Sequence, residues 1–77
     1  MKEARVSYIH FVDSGTTMYG LTRIWLVKTL AGGSLGEIRW YAPWRKYCFY
    51  PQSETVFDKG CLRDIADFCE NRTEEIS

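Results

Sequence analysis

One segment of this 77-residue chain has the periodicity of an amphipathic helix, and it follows every strand-like segment. Within residues 59–71, apolar side chains recur at the i, i+3, i+4, i+7 spacing of a single helix face: Leu62, Ile65, Ala66 and Cys69. Asp58 directly precedes the segment and is a residue type that caps helix N-termini. A single apolar stripe can cover only one layer, so the preceding residues must form a sheet with one covered face.

Four strand-like segments precede this helix. Alternating, β-branched and aromatic residues predict strands at 4–12, 21–29, 35–41 and 44–50. Turn and strand-ending sequences separate them, namely Asp13-Ser14-Gly15, Gly32-Gly33 and Ala42-Pro43. Strands joined by short turns favour antiparallel pairing between neighbours. We therefore predict one α+β domain over residues 1–77: an antiparallel three- to four-stranded β-meander, then a C-terminal helix on one face. The polar tail after residue 71 is expected to fray.

The charges of the chain balance overall but are unevenly distributed. Ten Lys and Arg residues match ten Asp and Glu residues, so the formal net charge is zero. Residues 1–37 carry a net charge of +1, residues 38–53 carry +3 and residues 54–77 carry −4. The central block, residues 38–53, also holds six of the twelve aromatic residues. A cationic, aromatic-rich segment beside an acidic one indicates a binding surface within the central block.

The cationic and aromatic side chains of the central block are the candidate ligand-binding residues: Arg39, Trp40, Tyr41, Trp44, Arg45, Lys46 and Tyr47. Tryptophan and tyrosine rings stack on nucleobases, and guanidinium groups bind phosphates through paired hydrogen bonds. Arg39 and Tyr41 alternate onto one strand face, and Arg45 and Tyr47 do the same on the next strand. This pattern predicts a checkerboard suited to a phosphorylated, base-containing ligand. The alternative is structural, because aromatic cross-strand pairs and arginine–ring contacts also stabilise sheets.

The sequence contains no pattern typical of catalysis or of cofactor binding. His10 is the single histidine, and Cys48, Cys61 and Cys69 lack the close spacing of zinc ligands. Three cysteines cannot all pair within one chain, so we expect reduced, half-buried thiols. Gly32-Gly33 lacks the Gly-Lys-Ser/Thr ending of a phosphate-binding loop. We therefore expect a protein that is not an enzyme and that carries no cofactor and no metal.

The apolar content of the predicted strands exceeds what one short helix can cover. Trp25, Val27, Ile38 and Phe49 are among the residues that would leave apolar surface on the sheet. Because exposed apolar patches mark interfaces and small cores gain from association, we expect a homo-oligomer. The chain has no apolar run of about 18 residues and no signal-peptide pattern, so we expect no membrane insertion and residence in the cytoplasm.

A longer motif extends through the central block into the helix. Residues 35–51 read LGEIRWYAPWRKYCFYP, Thr55-Val56-Phe57 follow, and residues 61–68 read CLRDIADF. This stretch resembles a family of small phage and prophage proteins with the pattern LGxIxWYxPWRxYxFxP, then TVF, then a CLxDIxxF helix. The resemblance implies a viral or prophage origin and work inside a bacterial cell, where small phage proteins often serve host takeover or counter-defence. It implies no catalytic residue and no ligand residue.

Three functions of different classes fit these observations. The first is a non-catalytic counter-defence protein that sequesters a nucleotide-derived signalling molecule in an aromatic and arginine pocket. The second is a protein–protein inhibitor of a host or defence enzyme, because Trp, Tyr and Arg dominate protein interfaces. The third, a nucleic-acid-binding module, is disfavoured because three positive charges are few and the acidic C-terminal third repels phosphates.

Overall fold

The computed structural model describes residues 8–17, 20 and 22–76. Its elements are the strands β1 (Ile9–Thr16), β2 (Arg23–Thr29), β3 (Ser34–Tyr41) and β4 (Lys46–Pro51), a 3-10 turn (Ala42–Trp44) and the helix α1 (Lys59–Ile76). The strands form one antiparallel sheet in the order β1-β2-β3-β4. The predicted α+β class, with a meander followed by a C-terminal helix, is confirmed.

The first predicted turn is a bulge within β1. Residues 4–7 of the predicted first strand, and Leu21 of the second, lie outside the described residues. The Gly15 N–H donates to Asp13 Oδ1 at 2.8 Å, and pairing with β2 shifts between Asp13 and Thr16. The turn-forming residues therefore bend the strand without ending it, because an extra residue is absorbed between two paired positions.

The connection from β3 to β4 is tighter than predicted. Ala42–Trp44 form the 3-10 turn, with Pro43 in its first positions. Arg45 follows in the left-handed region at φ 55°, and its N–H contacts the carbonyls of Tyr41 and Ala42 at 3.0 and 3.1 Å. The prediction that β4 begins at residue 44 was wrong, because proline sets a φ that suits the turn and removes a ladder donor.

The helix α1 begins as predicted and ends later. Asp58 Oδ1 accepts the Cys61 N–H at 2.8 Å, and this hydrogen bond lowers the pKa of the Asp58 carboxyl. The segment expected to fray is helical to Ile76. Thr73 Oγ1 donates to the Cys69 carbonyl at 2.8 Å and accepts the Tyr47 N–H of β4 at 2.9 Å. This contact with the sheet supports the last turns. Within the described residues, no helix combines the length and the apolar character needed to span a membrane.

The core lies between α1 and one face of the sheet. Its buried side chains come from all four strands and from α1: Ile9, Trp25, Val27, Ile38, Tyr47 and Ile65. Phe68 of α1 stacks on Phe11 with ring centres 4.1 Å apart and meets Trp25 edge-on at 5.1 Å. Leu62 of the predicted helix stripe is 51% exposed, so the buried stripe is rotated toward Ile65 and Phe68.

Strand pairing decides which side chains face α1. Ile38 pairs with both Trp25 and Phe49, and Trp40 pairs with Tyr47, so these residues share the covered face. Because successive strand residues project to opposite sides, the residues between them lie on the other side, which we call the open face. Its described members are His10, Val12, Ile24, Leu26, Lys28, Glu37, Arg39, Tyr41, Lys46, Cys48 and Tyr50.

Candidate functional site

Four side chains at the β3–β4 end of the open face form a continuous cationic and aromatic surface, which we call the platform: Arg39, Tyr41, Trp44 and Tyr50. The Arg39 guanidinium carbon lies 4.3 Å from the centre of the Tyr50 ring. The Tyr41 ring centre lies 6.4 Å from that of Tyr50 and 4.8 Å from that of Trp44, edge-on in both cases. The contacts therefore run from Arg39 through Tyr50 and Tyr41 to Trp44.

Local backbone geometry explains why these four side chains meet. Arg39 pairs with Cys48 and Glu37 pairs with Tyr50, so Arg39 and Tyr50 are diagonal neighbours across β3 and β4. Long side chains on such diagonal positions reach one another. Trp44 is not a strand residue, and the 3-10 turn brings its ring beside Tyr41. The platform thus depends on the register of one hairpin and on the turn that closes it.

The charges around the platform are mainly positive. Arg39 Nε lies 3.3 Å from Glu37 Oε1, with the two side chains 46% and 35% exposed. An ion pair this exposed adds little to stability, and it places the Glu37 carboxylate beside the guanidinium that lies over Tyr50. Lys46 pairs with Tyr41 across the hairpin, and Arg45 precedes it in the connecting turn, both exposed. Arg39, Arg45 and Lys46 thus place three cations at this end of the hairpin, and Lys46 also lines a groove with Glu70 and Glu74 of α1.

A shallow groove of about 300 Å³ borders the platform. Leu26 and Tyr50 contribute apolar walls, and Ser34, Glu37 and Gln52 contribute polar groups. Leu26, Glu37 and Tyr50 are successive cross-strand partners on β2, β3 and β4, so they form one row across the open face. The groove therefore places a single carboxylate between two apolar side chains.

Two of the predicted binding residues belong to the core. The Trp40 and Tyr47 rings meet edge-on with centres 5.3 Å apart on the covered face. Tyr47 is only 5% exposed, and its hydroxyl accepts the Arg23 N–H at 3.2 Å. The predicted checkerboard was wrong in placing Tyr47 with Tyr41, because the turn pairs Tyr47 with Trp40. The structural alternative holds for both of these rings.

Two residues of the site were not among the predicted ones. The Arg39 guanidinium lies over the Tyr50 ring, and its Nε contacts Oε1 of Glu37. Alternation within residues 44–50 already placed Tyr50 on the same side as Lys46. The position of Tyr50 relative to Arg39 depends on hairpin register, which alternation within one strand does not specify.

Two of the three cysteines have thiols with raised pKa values. Cys48, Cys61 and Cys69 are free and partly buried. Burial raises the pKa of the Cys61 thiol, with a hydrogen bond to Asp58 as a further cause, and burial raises the pKa of Cys69 to about 11. Thiols with raised pKa values are poor nucleophiles at neutral pH. Among residues 8–17, 20 and 22–76, no three His, Cys, Asp or Glu side chains converge as a metal site.

Comparison with curated proteins matches 42 residues of the chain, at 38% identity, with an "Uncharacterized 9.3 kDa protein" of Acholeplasma phage L2. The chain is similar to a small phage protein. The match covers 54% of each protein, so the chain spans about half the length of this relative. No family model matches the chain, and no solved structure matches it. This match supports the resemblance of the sequence to phage proteins and to no narrower group.

Proposed function

We propose that this chain is a small, non-catalytic phage protein that holds a nucleotide-derived ligand on the platform. The observation that supports this best is the Arg39 guanidinium stacked on Tyr50, next to Tyr41 and Trp44, on the sheet face opposite α1. Trp44 is 65% exposed, which is far more than a ring in a core-packing role needs. Exposed rings beside guanidinium groups are typical stacking surfaces for nucleobases.

Binding on the platform requires no bond to be made or broken. A base stacks on the exposed rings, while the remaining N–H groups of Arg39 and the cations Arg45 and Lys46 hold phosphates. Retention of a signalling nucleotide lowers its free concentration in the host cytoplasm, which is a counter-defence activity. The similarity to a phage protein supports this setting.

The LGxIxWYxPWRxYxFxP pattern is part of the proposal as the signature of a phage family. Its fixed positions include Tyr41, Trp44 and Arg45, at the turn end of the platform. Arg39 and Tyr50 occupy its variable positions. We therefore propose that the aromatic turn is the shared part of the site, and that Arg39 and Tyr50 adapt it to a particular ligand.

A second copy of the chain completes the proposed site. The platform is open on one side, so a bound nucleotide is enclosed only partly by one copy. A partner copy seated over the open face encloses it and covers the apolar residues Val12, Ile24 and Leu26. Sedimentation equilibrium at micromolar concentration is expected to give a dimer or higher oligomer, and a monomer would remove this part of the proposal.

Calorimetry and thermal unfolding against a panel of mononucleotides, cyclic dinucleotides and ADP-ribose derivatives test the main proposal. A ligand that binds only the folded chain raises its melting temperature. Trp44→Ala is expected to weaken binding roughly fivefold to a hundredfold, the range of one base–ring stack. Leu62→Ala, on the exposed side of α1, is the matched control and leaves affinity unchanged. Absence of heat with every member of the panel contradicts the proposal.

A second candidate function is inhibition of a host or defence enzyme by direct contact. The exposed Trp44 and Arg39 side chains favour it, because Trp and Arg are among the residues that dominate protein interfaces. Under this proposal no nucleotide of the panel binds. A partner that co-purifies with the wild-type chain is lost with the Trp44→Ala variant and retained with the Leu62→Ala variant. A partner retained equally by both variants contradicts this proposal.

A further inference from the structure

We infer that the groove beside the platform binds the edge of a guanine base and that Glu37 selects it, an inference that rests on the proposed nucleotide-binding function. The groove continues the platform, because Tyr50 belongs to both. A ligand whose phosphates lie on the cationic end of the platform can therefore place its base in the groove, against the Tyr50 ring that the platform and the groove share.

The shape of the groove suits one planar ring. Leu26 and Tyr50 stand on either side of Glu37 in the row that crosses β2, β3 and β4. The groove has polar and apolar lining in similar proportion, and its volume of about 300 Å³ lies at the lower end of the range of ligand sites. The groove therefore accommodates a single base, and the rest of a larger nucleotide must lie on the platform.

Glu37 is the charged residue among those that line the groove. Its Oε1 lies 3.3 Å from the guanidinium Nε of Arg39, and a carboxylate has about four acceptor sites, more than one such contact occupies. The side chain keeps 35% of its surface exposed, so a ligand can reach it. The ion pair thus orients the carboxylate and leaves acceptor capacity for a ligand.

The chemistry of a carboxylate discriminates between bases. A carboxylate only accepts hydrogen bonds, and it binds best where two donors lie side by side. The pairing edge of guanine has this arrangement, with its N1–H next to its exocyclic amine. The corresponding edge of adenine has one amine next to a ring nitrogen that is itself an acceptor and repels the carboxylate. Gln52, with both a donor and an acceptor, can serve the guanine carbonyl.

Affinities of the full chain for GMP, IMP and AMP test this inference by calorimetry. GMP is expected to bind at least about tenfold more tightly than AMP, because two charge-assisted hydrogen bonds replace one and a repulsion. IMP lacks the exocyclic amine and is expected to fall between them. Glu37→Gln should remove the preference for GMP by weakening GMP binding and strengthening AMP binding, because an amide can donate to the adenine ring nitrogen that repels the carboxylate. The exposed helix residue Glu70 gives the control variant Glu70→Gln, which should leave both affinities unchanged. If Glu37→Gln fails to fold, Glu37→Asp shortens the reach by one methylene and should also lose the preference.

The outcomes separate this inference from the proposed function. Equal affinity for GMP and AMP overturns the guanine assignment and leaves nucleotide binding intact. A preference for GMP that survives Glu37→Gln overturns the role of Glu37. Absence of binding to all three mononucleotides, when a cyclic dinucleotide or ADP-ribose derivative does bind, also overturns the guanine assignment alone. Absence of binding to every nucleotide overturns both the guanine assignment and the proposed nucleotide-binding function.

Discussion

Gly36 is the position at which a single added methyl group should do the most damage. Its φ of +149° lies in a region that L-residues rarely adopt. A Cβ built on Gly36 would lie 2.4 Å from the Tyr50 carbonyl oxygen and 2.9 Å from Phe49 Cε1, both across the hairpin. Backbone cannot yield as a flexible side chain does, so Gly36→Ala must distort the β3–β4 pairing.

The expected cost of Gly36→Ala has two parts. Holding an L-residue at an unfavourable φ costs about 1–3 kcal/mol, and forcing extra volume into a packed region costs about 1–3 kcal/mol. Together they lower the free energy of unfolding by about 2–6 kcal/mol. A chain of this length has a total of only about 4–12 kcal/mol. The melting temperature should therefore fall by at least about 8 °C.

Thermal and urea unfolding followed by circular dichroism measure this cost. Gly60→Ala is the matched control, since its Cβ would meet nothing closer than Asp58 Oδ1 at 3.5 Å. It lies in α1, where replacing glycine by alanine adds up to about 1 kcal/mol of stability. The two identical substitutions should thus act in opposite directions. A Gly36→Ala protein that melts within about 2 °C of wild type would contradict this prediction, because the close approach to Tyr50 would then carry no cost.

Three further substitutions test the packing around the site. Thr73→Val leaves the Tyr47 N–H without its acceptor and should lower the free energy of unfolding in urea by about 1–3 kcal/mol. Thr73→Ser retains the hydroxyl and should retain most of the stability. Equal losses in the two variants would contradict the role of this hydrogen bond. Ile38→Ala should cost about 2–5 kcal/mol because Ile38 is fully buried in a central strand, and a loss as small as that of exposed Leu62→Ala would contradict its place in the core. Burial raises the pKa of Cys69 from 9.0 to about 11, so the stability due to its neutral thiol is complete below pH 9 and is lost as the pH rises through 11. Unfolding free energies measured from pH 8 to 11 should therefore fall less steeply for Cys69→Ala than for wild type, and equal slopes would contradict this.

The covered face of the sheet could be predicted in part because alternation is a local property. Ile38 and Trp40 share a face of β3 in the prediction and in the structure, since successive side chains of a strand point to opposite sides. Alternation did not predict where Arg45 and Tyr47 lie relative to Arg39 and Tyr41. The predicted fourth strand includes Arg45, whereas Arg45 occupies the left-handed end of the turn. Sequence patterns place proline in turns but leave the strand register after the turn open.

The start of α1 depends on the local sequence, whereas its end and its buried face depend on tertiary contacts. The apolar spacing after Asp58 correctly predicts where α1 begins, because capping and periodicity act within one or two turns. Its extension to Ile76 involves Thr73, which bonds to an edge strand 26 residues earlier in the chain. The exposure of Leu62 likewise depends on how α1 is rotated against the sheet.

The amino-acid sequence alone predicts the order of elements, the single helix and the concentration of cations and aromatic rings in residues 38–53. These features follow from composition and from contacts between near neighbours. The division of this block between two faces, with Trp40 and Tyr47 against the core and the Arg39–Tyr50 stack on the open face, depends on tertiary contacts. Hairpin register is set by how a turn closes, and a shift of one residue exchanges every side chain between the two faces.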